Sequence, residues 1–251
     1  MNRIITIGRE FGSGGRELAR LIADITGFAY YDREIIAEIA KRTSLSEKYI
    51  QNVAEQKPVI PFPIHTGRTF WAVIPDYGQD VQKEQHGIIR EMAGKSDCVI
   101  VGRGADYILR DANPFRVFVY SDAESKLKRC RENSSNDYAK GVEMSDKELA
   151  RRIEQINKAR AEYYEFYTGQ EWGDKANYDF CVNTSKCADF RKLAEALASL
   201  IEREKNRTAH YRVILFFFCL LPSTFRSALR TLCREVFLLW SCRVGDYGST
   251  F

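Results

Sequence analysis

The sequence predicts an α/β protein built on a parallel sheet covered by helices on both faces. Two observations predict it. β-like and helix-like segments alternate along most of the chain, the pattern of a parallel sheet with helical crossovers. The residues richest in chemistry also follow the ends of strands, where open sheets of this kind bind ligands. The 251 residues suffice for one sizeable domain and an appendage.

Each element has its own warrant. Ile4-Ile5-Thr6-Ile7 is a short buried strand. Apolar Leu18, Leu21, Ile22 and Ile25 then recur at helical spacing, and Thr26-Gly27 closes that helix. Phe28–Tyr31 reads as a second strand, with Asp32 at its end. Ile35, Ile36 and Ile39 mark a second helix. Residues 45–80 lose periodicity and carry KPVIPFPIHTGRTFWAVIPDYG, read as an irregular insert or binding flap. A helix near 81–94 leads to the strand Cys98–Val101, then Gly102-Arg103-Gly104, and the strand Phe115–Tyr120. Ser145 and Glu148 form a capping box that opens a basic helix to about Tyr167. Residues 178–183 are the fifth strand, and 188–205 the last helix.

The surplus charge is local. The chain has 38 basic and 34 acidic residues, and 207–251 holds six arginines against two acids, so residues 1–206 are balanced. A neutral core is not the basic face of a nucleic-acid-binding domain, and nucleic acid is not expected as a partner. Seven cysteines without a CxxC pair, Cys98 and Cys181 among them inside apolar runs, suggest a reducing, cytoplasmic setting. No secretory signal is expected at the N-terminus. The nine-residue apolar run Val213–Leu221 is too short to cross a bilayer, which needs about 20 residues. For the tail 207–251 three readings stand: an artefactual extension, a disordered appendage, or an Arg-rich interfacial helix.

The chemistry centres on GREFGSGGRE (Gly8–Glu17), between the first strand and first helix. Glycines let the backbone curl so that N–H groups converge, and the helix N-terminus adds positive potential. The familiar phosphate loop G-x-x-x-x-G-K-[ST] adds a lysine and a magnesium-binding hydroxyl. Here Gly15 stands at the lysine's place, and Arg16 and Glu17 follow. The cradle of Gly12, Ser13, Gly14 and Gly15 is present; Arg16 is the expected replacement cation, with Arg9 a second candidate. The alternative is a glycine-rich turn without a ligand. Asp32 is either an N-cap or a carboxylate for magnesium, through water, or for substrate. Arg103, past a buried strand, is expected on phosphate, with Asp106 one turn on either orienting it or helping to hold metal. Arg151, Arg152, Lys158 and Arg160 form either a solvated face or a lid that closes cations on a phosphoryl group.

GREFGSGGREL, YYDREII, VIVGRGADYIL and ARAEYYEFYTGQEWGDKANYDFCVNTS together resemble the cytidylate kinase-like proteins of the P-loop nucleoside-monophosphate kinase group, from about Ile4 to Glu204. The resemblance implies a three-layer, adenylate-kinase-like P-loop core with a five-stranded parallel sheet, an NMP-binding insert (about 45–80) and a lid (about 135–170). It implies ATP, Mg2+ and a nucleotide acceptor, CMP or dCMP. By its motifs, Gly12–Glu17 would hold ATP. Asp32, Arg33, Arg103, Asp106, Arg152 and Lys158 would hold the acceptor, and Arg16, Asp32, Arg103 and Arg160 would act in catalysis. The chain departs from true cytidylate kinases at Gly15 and Glu17, and at Val101, where they carry aspartate.

Overall fold

The computed structural model describes residues 2–53, 77–132 and 144–202. Most of the 45–80 insert, residues 135–143 of the expected lid and the tail 207–251 lie outside these. The chain divides into the units Met1–Ala198 and Ser199–Phe251, and the second is described only to residue 202.

Five strands form one parallel sheet: β1 (Ile4–Arg9), β2 (Ala29–Tyr31), β3 (Cys98–Val101), β4 (Phe115–Tyr120) and β5 (Phe180–Asn183). Their order is β2-β3-β1-β4-β5, so the chain's first strand is the central one. Ile4 pairs with Cys98 and Ile7 with Val101 on one side, and Ile5 pairs with Phe115 and Arg9 with Val119 on the other. β1 and β3 are buried along nearly their whole length, which is why they read as continuous apolar runs.

The helices are α1 (Gly15–Thr26), α2 (Glu34–Thr43), α3 (Glu47–Val53), α4 (Tyr77–Lys95), α5 (Ala105–Ile108), α6 (Ala123–Glu132), α7 (Asp146–Thr168) and α8 (190–202). α1 buries Leu18, Ala19 and Ile22 against β1, β3 and β4. Ile4, Cys98 and Ile100 pack with Ile35, Ile36 and Ile39 of α2 and Ile88 and Ile89 of α4. Gly27 caps α1 with a left-handed φ of 71°, and its N–H donates to Ala23 O. The Ser145–Glu148 capping box forms as the sequence predicts.

Two elements depart from the sequence expectation. The insert begins with a helix, α3, whose seven residues are too few to show a period; Ile50 anchors it in the core. α4 starts at Tyr77, four residues before its first apolar position, because Tyr77-Gly-Gln-Asp carries no apolar period to announce it. Among the described residues no helix is long and apolar enough to cross a membrane. Cys98, Cys130, Cys181 and Cys187 are free thiols.

Candidate active site

β1 ends at Arg9 and α1 begins at Gly15, so the glycine loop spans five residues at the carboxyl edge of the central strand. Gly12 and Gly14 both hold φ +80°, the left-handed conformation that turns the backbone back on itself. Gly14 is the N-cap of α1 and no side chain caps it. The first-turn N–H groups of a helix have no partner within it, and the residues that carry them here, Gly15, Arg16 and Glu17, line a cavity at the helix's positive end.

The loop is held from four sides. The Ser13 hydroxyl donates to Glu10 O at 2.9 Å, and the Thr184 hydroxyl donates to Ser13 O at 2.7 Å. The Glu10 carboxylate accepts the Ser121 N–H at 3.1 Å and pairs with Lys126 at 3.0 Å. Phe11 N–H donates to Asn157 Oδ1 of α7 at 2.7 Å. Ser13 is fully buried, so it shapes the loop from behind rather than facing the cavity.

A cavity of about 500 Å3 opens over the loop. Gly12, Gly14, Gly15, Arg16 and Glu17 line it from the loop and α1, Asp32 and Arg33 from the end of β2, and Arg160 from α7. The Arg16 guanidinium Nε lies 2.7 Å from Asp32 Oδ2, and Arg9 Nη2 lies 4.0 Å from Asp32 Oδ1. Asp32 is 4% exposed, and its Oδ1 has no hydrogen-bond partner among the described residues. Its side chain does not cap α2, whose N-cap is Arg33, so the N-cap expectation for Asp32 gives way to an ion pair. Burial, reinforced by the Asp32 charge, pushes the Tyr30 hydroxyl up to about 12.

Arg103 and Asp106 stand in an adjoining recess of about 30 Å3, which Arg9 and Arg160 also line. Arg103 is 6% exposed at φ +60°. Its Nη1 donates to Gln85 Oε1 at 3.4 Å, while its Nε has no hydrogen-bond partner among the described residues. Gln85 continues to the Tyr163 hydroxyl at 2.9 Å, which donates to Gln82 at 2.9 Å. The Tyr164 hydroxyl donates to Asp106 Oδ2 at 2.7 Å, and burial raises the Asp106 carboxyl above its ordinary range. Asp106 therefore orients Tyr164 of α7; among the described residues no hydrogen bond joins it to Arg103. Arg160 Nη1 donates to Arg9 O at 3.2 Å, locking α7 onto the end of β1.

Arg152 and Lys158 are exposed on α7 and line neither space; Lys158 lies 3.9 Å from Glu162. Conversely, Arg129 of α6 reaches the cavity, its guanidinium 4.4 Å above the Phe190 ring. Sequence reasoning missed it because one arginine in the charged stretch Ser125–Glu132 carries no local mark of its neighbours. Among the described residues no cluster of three or more His, Cys, Asp or Glu forms a metal cage.

The family model that describes the cytidylate kinase-like family matches residues 4–186. The chain belongs to this family. Membership in it, with a parallel sheet and glycine loop of the kinase kind, makes the chain a nucleotide kinase by class. The cytidylate kinase of Methanopyrus kandleri is 24% identical over 214 residues, covering 80% of this chain and 96% of that protein. Among solved structures, an uncharacterized protein from Eubacterium ventriosum is 27% identical with a TM-score of 0.58, covering 80% of this chain and 99% of that one. The shikimate kinase of Bacteroides thetaiotaomicron shares the fold at 17% identity and a TM-score of 0.50, over 80% of this chain and 98% of its own. Both family motifs after strand ends, GREFGSGG and VGRG, fall on the cavity and its recess.

Proposed function

We propose that this cytidylate kinase-like protein transfers the γ-phosphoryl group of ATP to a nucleoside monophosphate, with CMP and dCMP the first acceptors to test. One observation carries the reading. An uncapped helix N-terminus and several arginines from separate elements converge on one cavity at the carboxyl edge of the sheet. Phosphoryl transfer asks for positioning and charge neutralisation more than for covalent chemistry, and this cavity supplies both.

In this reading the N–H groups of Gly12–Glu17 cradle the ATP phosphates. Arg16 lies at the mouth of the loop and moves between Asp32 and phosphate oxygens. Arg160 and Arg129 neutralise charge that develops on the transferred group. Arg33 and Arg103 bind the acceptor's phosphate, and Asp106 holds α7 in place through Tyr164. Arg152 and Lys158 reach the acceptor only if α7 shifts on closure. Mg2+ fits the donor set in that Asp32 offers one buried carboxylate oxygen without a hydrogen-bond partner among the described residues, since this ion takes one or two carboxylates with waters and phosphates. Bound there through water, the ion would neutralise phosphate charge. The partners are nucleotides, and a cytoplasmic setting is part of the proposal.

The test is an acceptor screen: the full chain with ATP, Mg2+ and a panel of nucleoside monophosphates, scored by ADP release. Turnover with CMP or dCMP above the other acceptors is the expected result. The missing loop lysine and hydroxyl favour a second reading, a nucleotide-binding regulator without turnover. ATP binding with no ADP from any acceptor would favour that regulator over the kinase.

A further inference from the structure

The phosphate-loop motif G-x-x-x-x-G-K places its first glycine six residues before its lysine. With Gly15 at the lysine's place, Arg9 stands where that first glycine would be. The two positions have exchanged character: a cation at the glycine, a glycine at the cation. From spacing alone this is a coincidence; in the structure the two residues fill one space.

Gly15 has an ordinary helical backbone, outside the positive-φ set, so conformation does not demand glycine there. Space does. A Cβ on Gly15 would lie 2.5 Å from Arg9 Cβ and 3.0 Å from Arg9 Cγ, a separation that packed carbons do not tolerate. The stem of Arg9 thus occupies the room that the first carbons of a loop lysine need. Further along, a Cβ on Gly102, just past β3, would collide with Arg9 Nη1. Two glycines from different elements therefore flank the Arg9 side chain along its length.

The guanidinium emerges at the sheet edge, near the ends of β1, β3 and β2. It lies 4.0 Å from Asp32 and lines both the large cavity and the Arg103 recess. Arg9 is 5% exposed, and a buried guanidinium requires a partner of opposite charge. Its carboxylate, Asp32, is shared with Arg16, which approaches more closely at 2.7 Å. Arg9 and Arg16 both line the cavity beside Asp32, so an anion there meets two guanidiniums from different elements.

We propose that Arg9, rather than Arg16, is the phosphate-binding cation that replaces the loop lysine, reaching the outer phosphates of a nucleoside triphosphate from behind the loop. Gly15 and Gly102 are glycines because Arg9 passes between them. Arg16 serves as the outer partner of Asp32. The inference rests on the kinase reading and deepens it.

The test measures ATP affinity by titration calorimetry, alongside phosphoryl transfer, on the full chain. Arg9→Ala weakens ATP binding about tenfold or more, the size expected for a lost charge-assisted contact, and Arg16→Ala weakens it less. Gly15→Lys alone also impairs binding, because its stem meets that of Arg9. The double variant Arg9→Ala/Gly15→Lys recovers most of the lost affinity, since the lysine then has both the room and the role. If Arg9→Ala melts too early to be read, Arg9→Met keeps the stem and removes only the charge, with the same expected loss. The inference is overturned if the Arg9 variants bind ATP as the unaltered chain does while Arg16→Ala loses binding. It is overturned equally if the double variant binds no better than Arg9→Ala. Failure of the unaltered chain to bind ATP at all would instead overturn the kinase reading, and this inference with it.

Discussion

Gly14 combines a left-handed φ of 80° with a crowded site: a Cβ there would lie 2.7 Å from the Phe190 ring. Gly14→Ala is therefore expected to lose about 1–2 kcal/mol of stability from the backbone alone, more from the clash, and to show it in chemical denaturation. Asp106 allows a signed pH test. Its carboxyl is raised by burial, so between its unfolded value and its folded one the native state holds a proton that the unfolded state has released. Stability then falls as pH rises through that window. Asp106→Asn removes this dependence while an amide oxygen can still accept from Tyr164. The variant's melting temperature relative to the unaltered protein is expected to climb as pH rises above the ordinary carboxylate range. An unchanged difference over that rise would show that Asp106 titrates alike in both states. At this scale the sequence showed which residue types could serve, Arg16, Asp32 and Arg103 among them. It did not show that Asp32 faces Arg16 rather than α2, because a carboxylate after a strand looks the same in either role.

Elements were legible where a period or a cap announces them. The apolar spacing of α1 and the capping box of α7 can both be read directly from the chain. α3 and the first turn of α4 were not, since a seven-residue helix and a polar helix start leave no periodic trace. α7 matters most to the site: it delivers Asn157 to the loop and Arg160 to the end of β1. Its cap lies about three to four turns from those contacts. Ser145→Ala is expected to lower the melting temperature by about 2–4 °C and to leave kcat little changed. Asn157→Ala frees one side of the loop without touching the cap, and is expected to raise KM for ATP at nearly unchanged melting temperature. Steady-state kinetics beside a thermal melt separate the two roles.

For the whole molecule, the central position of β1 couples stability to the site. Ile7 is fully buried two residues before Arg9. Ile7→Ala is expected to cost about 2–5 kcal/mol in denaturant unfolding, because the surrounding core closes only partly around the cavity. Removal of residues 207–251 is expected to preserve ATP binding, since every residue assigned to the site lies within Met1–Ala198. A truncated chain that folds but no longer binds ATP would give the tail a part in the site.

The sequence by itself determined the alternation of strands and helices, the glycine loop between β1 and α1, and the family motifs at strand ends. All of these are local, since periodicity and spacing report which face of a segment is buried and where the chain must turn. The tertiary structure alone decided which buried faces meet. It set the order β2-β3-β1-β4-β5, which puts residues 9, 32 and 102 side by side. It also brought Arg160 across 151 positions of sequence to the end of β1. A hydrophobic period specifies that a side chain needs a neighbour, not which one. The packed sheet chooses, and here it passes Arg9 between two glycines into the space where a loop lysine would stand.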